Sequence, residues 1–356
     1  MFEVISLVVG LALLVVGAEL LVRYASRIAA RLRVPSLVVG LTIVAFGTSA
    51  PELVVSVMAS LGGQPELALG NVVGSNIYNV LLILGVSALV TPLLITAQLV
   101  RVDIPIMIGV SILTLGLALD GAIGPLDGCV LLAGILAYTT FQIIQGSRGA
   151  ADAKSTSEVE AAVPGTVVAD VVLLLFGLGL LVGGSRLFLD GAVAMARVMG
   201  VSELVIGLTI VAAGTSLPET ATSIVAALRG ERDIAVGNIV GSNVFNILAV
   251  LGAASLVAPG GVAIAPSSLY FDLPVMIAVA VACLPAFFVH DTIARWQGAM
   301  FVLYYVAYVA YLILDAQAHD AIDVLSAVMV WFAFPITAIS FGAIALRRWR
   351  GRAQAA

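Results

Sequence analysis

Charge is what this sequence has least of. Only 10% of its 356 residues are Asp, Glu, Lys or Arg, against about 25% in a soluble domain. Lysine is almost missing: Lys154 stands alone beside fifteen arginines. With so thin a basic complement there is no surface for nucleic acid, and a net charge of −5 spread over loops and termini decides nothing. Cysteine is nearly absent too. Cys129 and Cys283 each fall inside an apolar run, which reads as packed thiols and excludes a disulfide framework. The two histidines, His290 and His319, lack the spacing of a zinc site. No HExxH occurs and no nucleophile sits beside a matching base, so a hydrolase is disfavoured.

What the chain has instead is hydrocarbon. It is 62% hydrophobic with a mean hydropathy of +1.17, in recurring apolar runs of about 20 residues, the length that spans a bilayer. The expected class is an all-α polytopic membrane protein. Eleven spans are expected, near residues 4–29, 37–61, 69–90, 104–119, 126–144, 167–189, 204–228, 234–257, 273–289, 299–314 and 322–345. The apolar N-terminus continues into a long span and reads as a first transmembrane helix, not a signal peptide. GSRGAADAKSTSEVEAAVPG, between the fifth and sixth spans, is a linker too short to fold alone.

Two stretches, Gly40 to Gly85 and Gly207 to Gly252, are near-copies at an offset of 167 residues, identical at 26 of 46 positions. The identities are not merely apolar. Thr48, Ser49, Pro51, Glu52, Asn71, Ser75, Asn76 and Asn79 recur as Thr215, Ser216, Pro218, Glu219, Asn238, Ser242, Asn243 and Asn246. Further matches, such as Asp103-Ile-Pro with Asp272-Leu-Pro and Tyr138 with Tyr308, extend the duplication to five spans per copy. Five is odd, so the copies cross in opposite directions. Two inverted five-helix repeats are expected, with a site near the bilayer midplane. The divisions are residues 1–146 (first repeat), 147–164 (linker), 165–315 (second repeat) and 316–356 (an additional span and a basic tail). With the N-terminus outside, 14 of the 16 basic residues fall on the cytoplasmic side, leaving only Arg186 and Arg197 outside, as the positive-inside rule requires.

The polar core of each copy has its own chemistry. A proline inside a helix removes a donor and frees the carbonyl four residues back, so Pro51 releases Gly47 and Pro218 releases Gly214. Such bare backbone is tolerated at membrane depth only against protein or a wet cavity. Thr48 and Glu52 share a helical face, as do Thr215 and Glu219. A carboxylate at that depth needs a partner, and neither motif supplies Lys or Arg; a cation is the simplest compensation. Asn71, Ser75 and Asn79 repeat at i, i+4 and i+8, as do Asn238, Ser242 and Asn246. Gly70, Gly74, Gly237 and Gly241 read as helix-packing residues, whereas Ser75, Asn79, Ser242 and Asn246 read as ligands. Every candidate donor is oxygen, which suits hard cations such as Ca²⁺ with its six to eight ligands at about 2.3–2.6 Å. Two glutamates match one Ca²⁺ in charge, or two or three Na⁺, or two protons. Exclusive occupation by either load is the basis of antiport.

On GTSAPE, GTSLPE and the paired GNxxGSN segments the chain resembles the cation/calcium exchanger superfamily, most nearly the prokaryotic sodium/calcium antiporters. The resemblance implies a ten-helix frame, alternating access with the first and sixth helices sliding past the rest, and a multi-pass location in a prokaryotic plasma membrane. It implies Thr48, Glu52, Thr215 and Glu219 at a calcium site, the threonines through backbone carbonyls. Flanking sodium sites would use Ala45, Ser49 and Ser75 with Ala212, Ser216 and Ser242, while Asn79 and Asn246 line the middle. The transported ions are then Ca²⁺ and Na⁺, with no prosthetic group and no obligate protein partner. Asn246 departs from the aspartate of the sodium-coupled archetype, which leaves Ca²⁺/H⁺ exchange as the alternative. The eleventh span is extra to the usual ten, and its lack of a polar stripe assigns it to packing or topology. A cation channel is disfavoured by the inverted broken helices. Glu66 and Asp233 read as helix-start acids.

Overall fold

The computed structural model describes residues 2–154, 166–288, 292–319 and 321–335. The expected linker therefore falls partly outside the described residues, as do the end of the eleventh span and the basic tail. The helices are α1 (Phe2–Leu32), α2a (Ser36–Thr48), α2b (Ala50–Leu61), α3 (Glu66–Val90), α4 (Leu99–Asp120) and α5 (Pro125–Lys154) in the first half. The second half repeats them as α6 (Val167–Val198), α7a (203–214), α7b (Leu217–Leu228), α8 (Arg232–Val257), α9 (268–288) and α10 (Arg295–Ala316), and α11 (321–333) follows. Among the described residues seven helices are long and apolar enough to cross a membrane singly, and the bent pair α2a–α2b makes an eighth. The shorter apolar helices α7b, α9 and α11 complete the two five-helix halves and the extra helix. α5 runs well past its apolar stretch, so the first residues of the expected linker are helical.

The core is α3 and α8. Most of α3 and the whole apolar window of α8 are enclosed by protein, which is why their small and amide residues meet other helices and not lipid. Three pairs of π-turns sit at repeat-equivalent positions: Gly40–Val44 and Gly207–Val211, Asn79–Leu84 and Asn246–Leu251, Leu99–Asp103 and Ser268–Asp272. Such turns loosen the backbone ladder and often mark functional sites. Two antiparallel two-residue ladders stitch the halves together: β1 (Leu93–Leu94) with β4 (Thr292–Ile293), and β2 (Ala122–Ile123) with β3 (Val262–Ala263). They are too short to leave a strand signal in the sequence.

Outside the core, α1 and α6 lie against each other along their lengths. Glycines at seven-residue spacing remove side chains from the seam. A Cβ on Gly17 would stand 2.7 Å from the Gly177 carbonyl, and one on Gly184 would stand 2.8 Å from Leu14 N. At one end Arg27 and Arg31 reach the buried Asp170 carboxylate, at 3.0 and 2.5 Å. Backbone contact and this ion-paired end make α1 and α6 a single packing unit. An apolar cavity of about 410 Å³ between α9, α10 and α11 is lined by Val275, Val279, Tyr304 and Tyr308 among others. It offers no converging oxygens and lies apart from the glutamates.

Candidate cation site

Each broken rod bends where its sequence demands. Between α2a and α2b the axis turns by 43°, with Ser49 at φ −84°, ψ 6° and Pro51 in the first turn of the second piece. Ser216 takes nearly the same conformation, φ −89°, ψ 12°, ahead of Pro218. Proline is tolerated there because a first-turn residue has no intrahelical donor to lose. The carbonyl of Gly214 accepts a hydrogen bond from Ser185 Oγ on α6 at 2.9 Å, so the backbone opened by Pro218 takes a side-chain partner. The equivalent of Ser185 in the first half is Ala18, which has no hydroxyl to offer Gly47.

The two rods hold each other's acids. Ser49 Oγ donates to Glu219 Oε1 at 2.9 Å, and Ser216 Oγ donates to Glu52 Oε1 at 3.0 Å. Ser216 also meets Ser75 Oγ at 3.2 Å. Both glutamates are fully buried. This reciprocity puts the two carboxylates at the crossing of α2 and α7. The threonine hydroxyls turn aside: Thr48 donates to Asn238 at 3.0 Å and Thr215 to Asn71 at 3.2 Å. Those asparagines donate in turn to Ser223 and Ser56, at 3.0 and 2.9 Å. With its hydroxyl proton committed, a threonine can offer a cation its carbonyl oxygen or a hydroxyl lone pair.

A second crossed set joins α3 and α8. Asn79 Nδ2 donates to Asn243 Oδ1 at 2.9 Å, and Asn246 Nδ2 donates to Asn76 Oδ1 at 3.2 Å. Asn76 and Asn243 each also donate to the other's backbone carbonyl, at 3.2 and 3.4 Å. Because their NH₂ groups are engaged, Asn79 and Asn246 turn their oxygens elsewhere. Four buried carboxylate and amide oxygens are left without a hydrogen-bond partner: Glu52 Oε2, Glu219 Oε2, Asn79 Oδ1 and Asn246 Oδ1. They form two repeat-related pairs. Buried acceptors are normally satisfied, and oxygens unpaired in both copies are what a bound hard cation requires. Ser242 Oγ is buried and unpartnered as well. Among the described residues no cluster of three or more His, Cys, Asp or Glu exists, so amide, hydroxyl and backbone oxygens must complete any shell around the two carboxylates.

Thus Glu52, Glu219, Ser49, Ser216, Ser75, Ser242, Asn79 and Asn246 are all buried in one region, and Thr48 and Ala45 with them. The Ala45 carbonyl accepts from Ser49 N at 3.0 Å and from Thr48 Oγ1 at 3.4 Å. Thr215 is half-buried and Ala212 exposed. Sequence reasoning did not assign roles to Asn76, Asn243, Ser56 and Ser223. Their signal was present, since both asparagines and both serines recur at the 167-residue offset.

The surroundings are not symmetric. Gly237 and Gly241 of α8 are buried against α2a, where an added Cβ would fall 2.9 Å from the Leu37 carbonyl and 2.6 Å from that of Leu41. Among the described residues, their equivalents Gly70 and Gly74 on α3 have nothing within 4 Å, nor has Gly207 on α7a. The packing expectation holds for the first pair and not for the second. α1 packs along α7b, whereas α6 makes no comparable packing along α2b. Accordingly Val55 is 47% exposed while its equivalent Thr222 is 0% exposed. Packing around the buried site is closed on the side of α2a, α7b and the start of α8, and more open on the side of α7a and the start of α3.

The sequence model described as "Sodium/calcium exchanger protein" matches residues 2–144 and 169–314, one segment per repeat. The chain belongs to the sodium/calcium exchanger family. α11 lies beyond the second matched segment, as an addition to the family frame should. The exchanger is 41% identical over 258 residues to the "Putative antiporter CaxA" of Alkalimonas amylolytica, covering 72% of this chain and 81% of that one. It is 33% identical over 341 residues to the "Sodium/calcium exchanger MaX1" of Methanosarcina acetivorans, covering 86% and 97%. Its fold matches that of the sodium-calcium exchanger NCX_Mj soaked with Na⁺ and Sr²⁺, with a TM-score of 0.74 and 33% identity, covering 87% of this chain and 98% of that one. The inverted-repeat architecture and the membrane-transporter class expected from the sequence are borne out.

Proposed function

We propose that this family member is a secondary active antiporter that exchanges Ca²⁺ for Na⁺ by alternating access. The observation that carries the reading is the set of four unpaired, buried acceptor oxygens on Glu52, Glu219, Asn79 and Asn246. Two carboxylates neutralise one Ca²⁺, and the amide oxygens with the backbone of Thr48 and Thr215 extend its shell. Na⁺ takes oxygens of the same kind, with Ser49, Ser75 and Ala45 flanking on one side and Ser216, Ser242 and Ala212 on the other. Because the loads share ligands, one leaves before the other binds.

Alternating access is supported by the unequal packing of two nearly equal halves. With the N-terminus outside and the C-terminus cytoplasmic, the open side is extracellular and the sealed side cytoplasmic. Exchange of packing between the repeats gives the opposite state. The membrane is then the prokaryotic plasma membrane, and the ions are the only partners the reaction needs.

The test uses purified protein in vesicles, with Na⁺, K⁺ and H⁺ gradients imposed one at a time and Ca²⁺ uptake followed. Uptake driven by an outward Na⁺ gradient at clamped pH is expected. Uptake that ignores Na⁺ and follows the proton gradient establishes the second reading, Ca²⁺/H⁺ exchange. That reading is favoured by the amides at 79 and 246, which leave the two glutamates as the acids of the site. Single-channel currents would overturn both.

A further inference from the structure

The asymmetry around the site coincides with an ion pair that only one repeat can make. Arg229, just past the end of α7b, holds the Glu19 carboxylate of α1 with two nitrogens. Nε lies 2.8 Å from Oε2, and Nη2 contacts Oε1. A fork of this kind is the favourable geometry for an arginine–carboxylate pair. It sits on the sealed side, where α1 covers α7b. At the 167-residue offset the equivalent of Glu19 is Arg186 and that of Arg229 is Gly62. An arginine opposite a glycine forms no such pair. When α6 covers α2b instead, the equivalent junction has no electrostatic tie.

We propose that the Glu19–Arg229 pair is a latch, made when the exchanger is closed on the Arg229 side and broken once per transport cycle. The proposal rests on the alternating-access reading above. It follows from three things together: α1 packs on α7b and α6 does not pack on α2b; the pair spans that one packed junction; and its repeat equivalent is chemically incapable of it. The latch therefore biases two otherwise similar states toward the one closed here. Arg229 is 60% exposed and Glu19 30%, so the bias is that of a solvent-accessible pair, a population shift of about 1.5- to 5-fold.

Four full-length proteins in lipid nanodiscs test it: wild type, Glu19→Gln, Arg229→Gln, and the charge swap Glu19→Arg with Arg229→Glu. Amide hydrogen exchange in residues 15–27 and 217–229 reports opening of this junction, because protection tracks the population of the open form. Each single variant should exchange faster in both segments by about 1.5- to 5-fold, with residues 50–61 exchanging no faster, and the swap should return to wild-type protection. Single variants that match wild type, or a swap no better protected than either, would overturn the latch. In vesicles, the half-saturating Ca²⁺ concentration on the Arg229 side should fall by the same factor in the single variants, since apparent affinity follows the fraction of protein facing that side. A merely structural pair would leave it unmoved. If wild type shows no counter-ion-dependent Ca²⁺ flux, the antiport reading fails. If flux is normal and both readouts ignore the substitutions, the latch alone fails.

Discussion

Glu52→Gln and Glu219→Gln are the most informative perturbations, because each removes one charge and almost nothing else. Gln at 52 keeps an oxygen for the Ser216 hydroxyl, now 3.0 Å from Glu52 Oε1, and Gln at 219 keeps one for Ser49, now at 2.9 Å. The metal-free fold should therefore be as stable as wild type, or more so, since an uncompensated buried carboxylate is itself unfavourable. The loss falls on the bound state. With one carboxylate gone, a divalent cation keeps an uncompensated charge in a site whose acids are fully buried. Breaking one partner of a buried charge pair costs about 3–5 kcal/mol, and every 1.4 kcal/mol is tenfold, so Ca²⁺ binding should weaken by roughly 10²- to 4 × 10³-fold.

The assay is Ca²⁺ titration of purified protein by calorimetry, beside thermal unfolding in detergent with and without Ca²⁺. Wild type should gain thermal stability with Ca²⁺ by mass action, and both variants should lose that gain while keeping their metal-free transition. The two variants should fall together, since each glutamate is held by the serine of the other repeat. Wild-type affinity in either variant, or a loss traceable to a lower metal-free transition, would refute the shared two-carboxylate site.

Asn76→Ala and Asn243→Ala remove the groups that hold Asn246 and Asn79 by their amides. At about 0.5–1.5 kcal/mol per hydrogen bond, each should weaken Ca²⁺ binding several-fold in the same titration, far less than loss of a glutamate. Gly17→Val would press a side chain onto the Gly177 carbonyl from 2.7 Å. It should destabilise the α1–α6 seam by about 1–3 kcal/mol, visible as a lower thermal transition, whereas Gly116→Ala, with open space around it, should not. Asp170→Asn takes the carboxylate from Arg27 and Arg31. Denaturation of the variant should show a loss above the ~1 kcal/mol of a surface pair and below the ~5 kcal/mol of a fully buried one, because the two arginines are partly exposed.

The parts of the fold written in local chemistry were the parts legible in the sequence. Gly47-Thr48-Ser49 ahead of Pro51 dictates a break wherever it is placed, and the break lies at Ser49. The duplication dictated the inverted halves. The π-turns were not legible, because Gly-Leu-Thr-Ile-Val reads equally well as α-helix. Nor was the crossed pairing: a sequence shows that Ser49 and Glu52 are neighbours, not that Ser49 binds Glu219. The two-residue ladders are too short for any periodicity. Least legible of all was the asymmetry. Val55 and Thr222 occupy equivalent places in near-identical stretches, yet one is open and the other sealed. The near-identical stretches do not encode which half is covered; the repeats differ outside them, as at Glu19 and Arg186.

That asymmetry reaches the site only in part: Ser216 meets Ser75, whereas the equivalent Ser242 has no partner, but the crossed bonds are alike. The Thr48–Asn238 and Thr215–Asn71 bonds are 3.0 and 3.2 Å long, and the Ser49–Glu219 and Ser216–Glu52 bonds 2.9 and 3.0 Å. One member of each pair belongs to the open flank and the other to the sealed one, and the geometry hardly differs. The crossed bonds that tie the two rods together are thus common to both flanks, while the hydroxyl contact at Ser75 is made on one flank only. On the alternating-access reading, a cycle that exchanges the flanks can keep these crossed bonds while the contacts of Ser75 and Ser242 trade places. The motion then falls on what differs between the halves: the seating of the α1–α6 unit and of the outer pieces of the broken rods. On that reading the path to the cation changes more than the crossed bonds that hold the two glutamates, so access and binding fall largely to different residues.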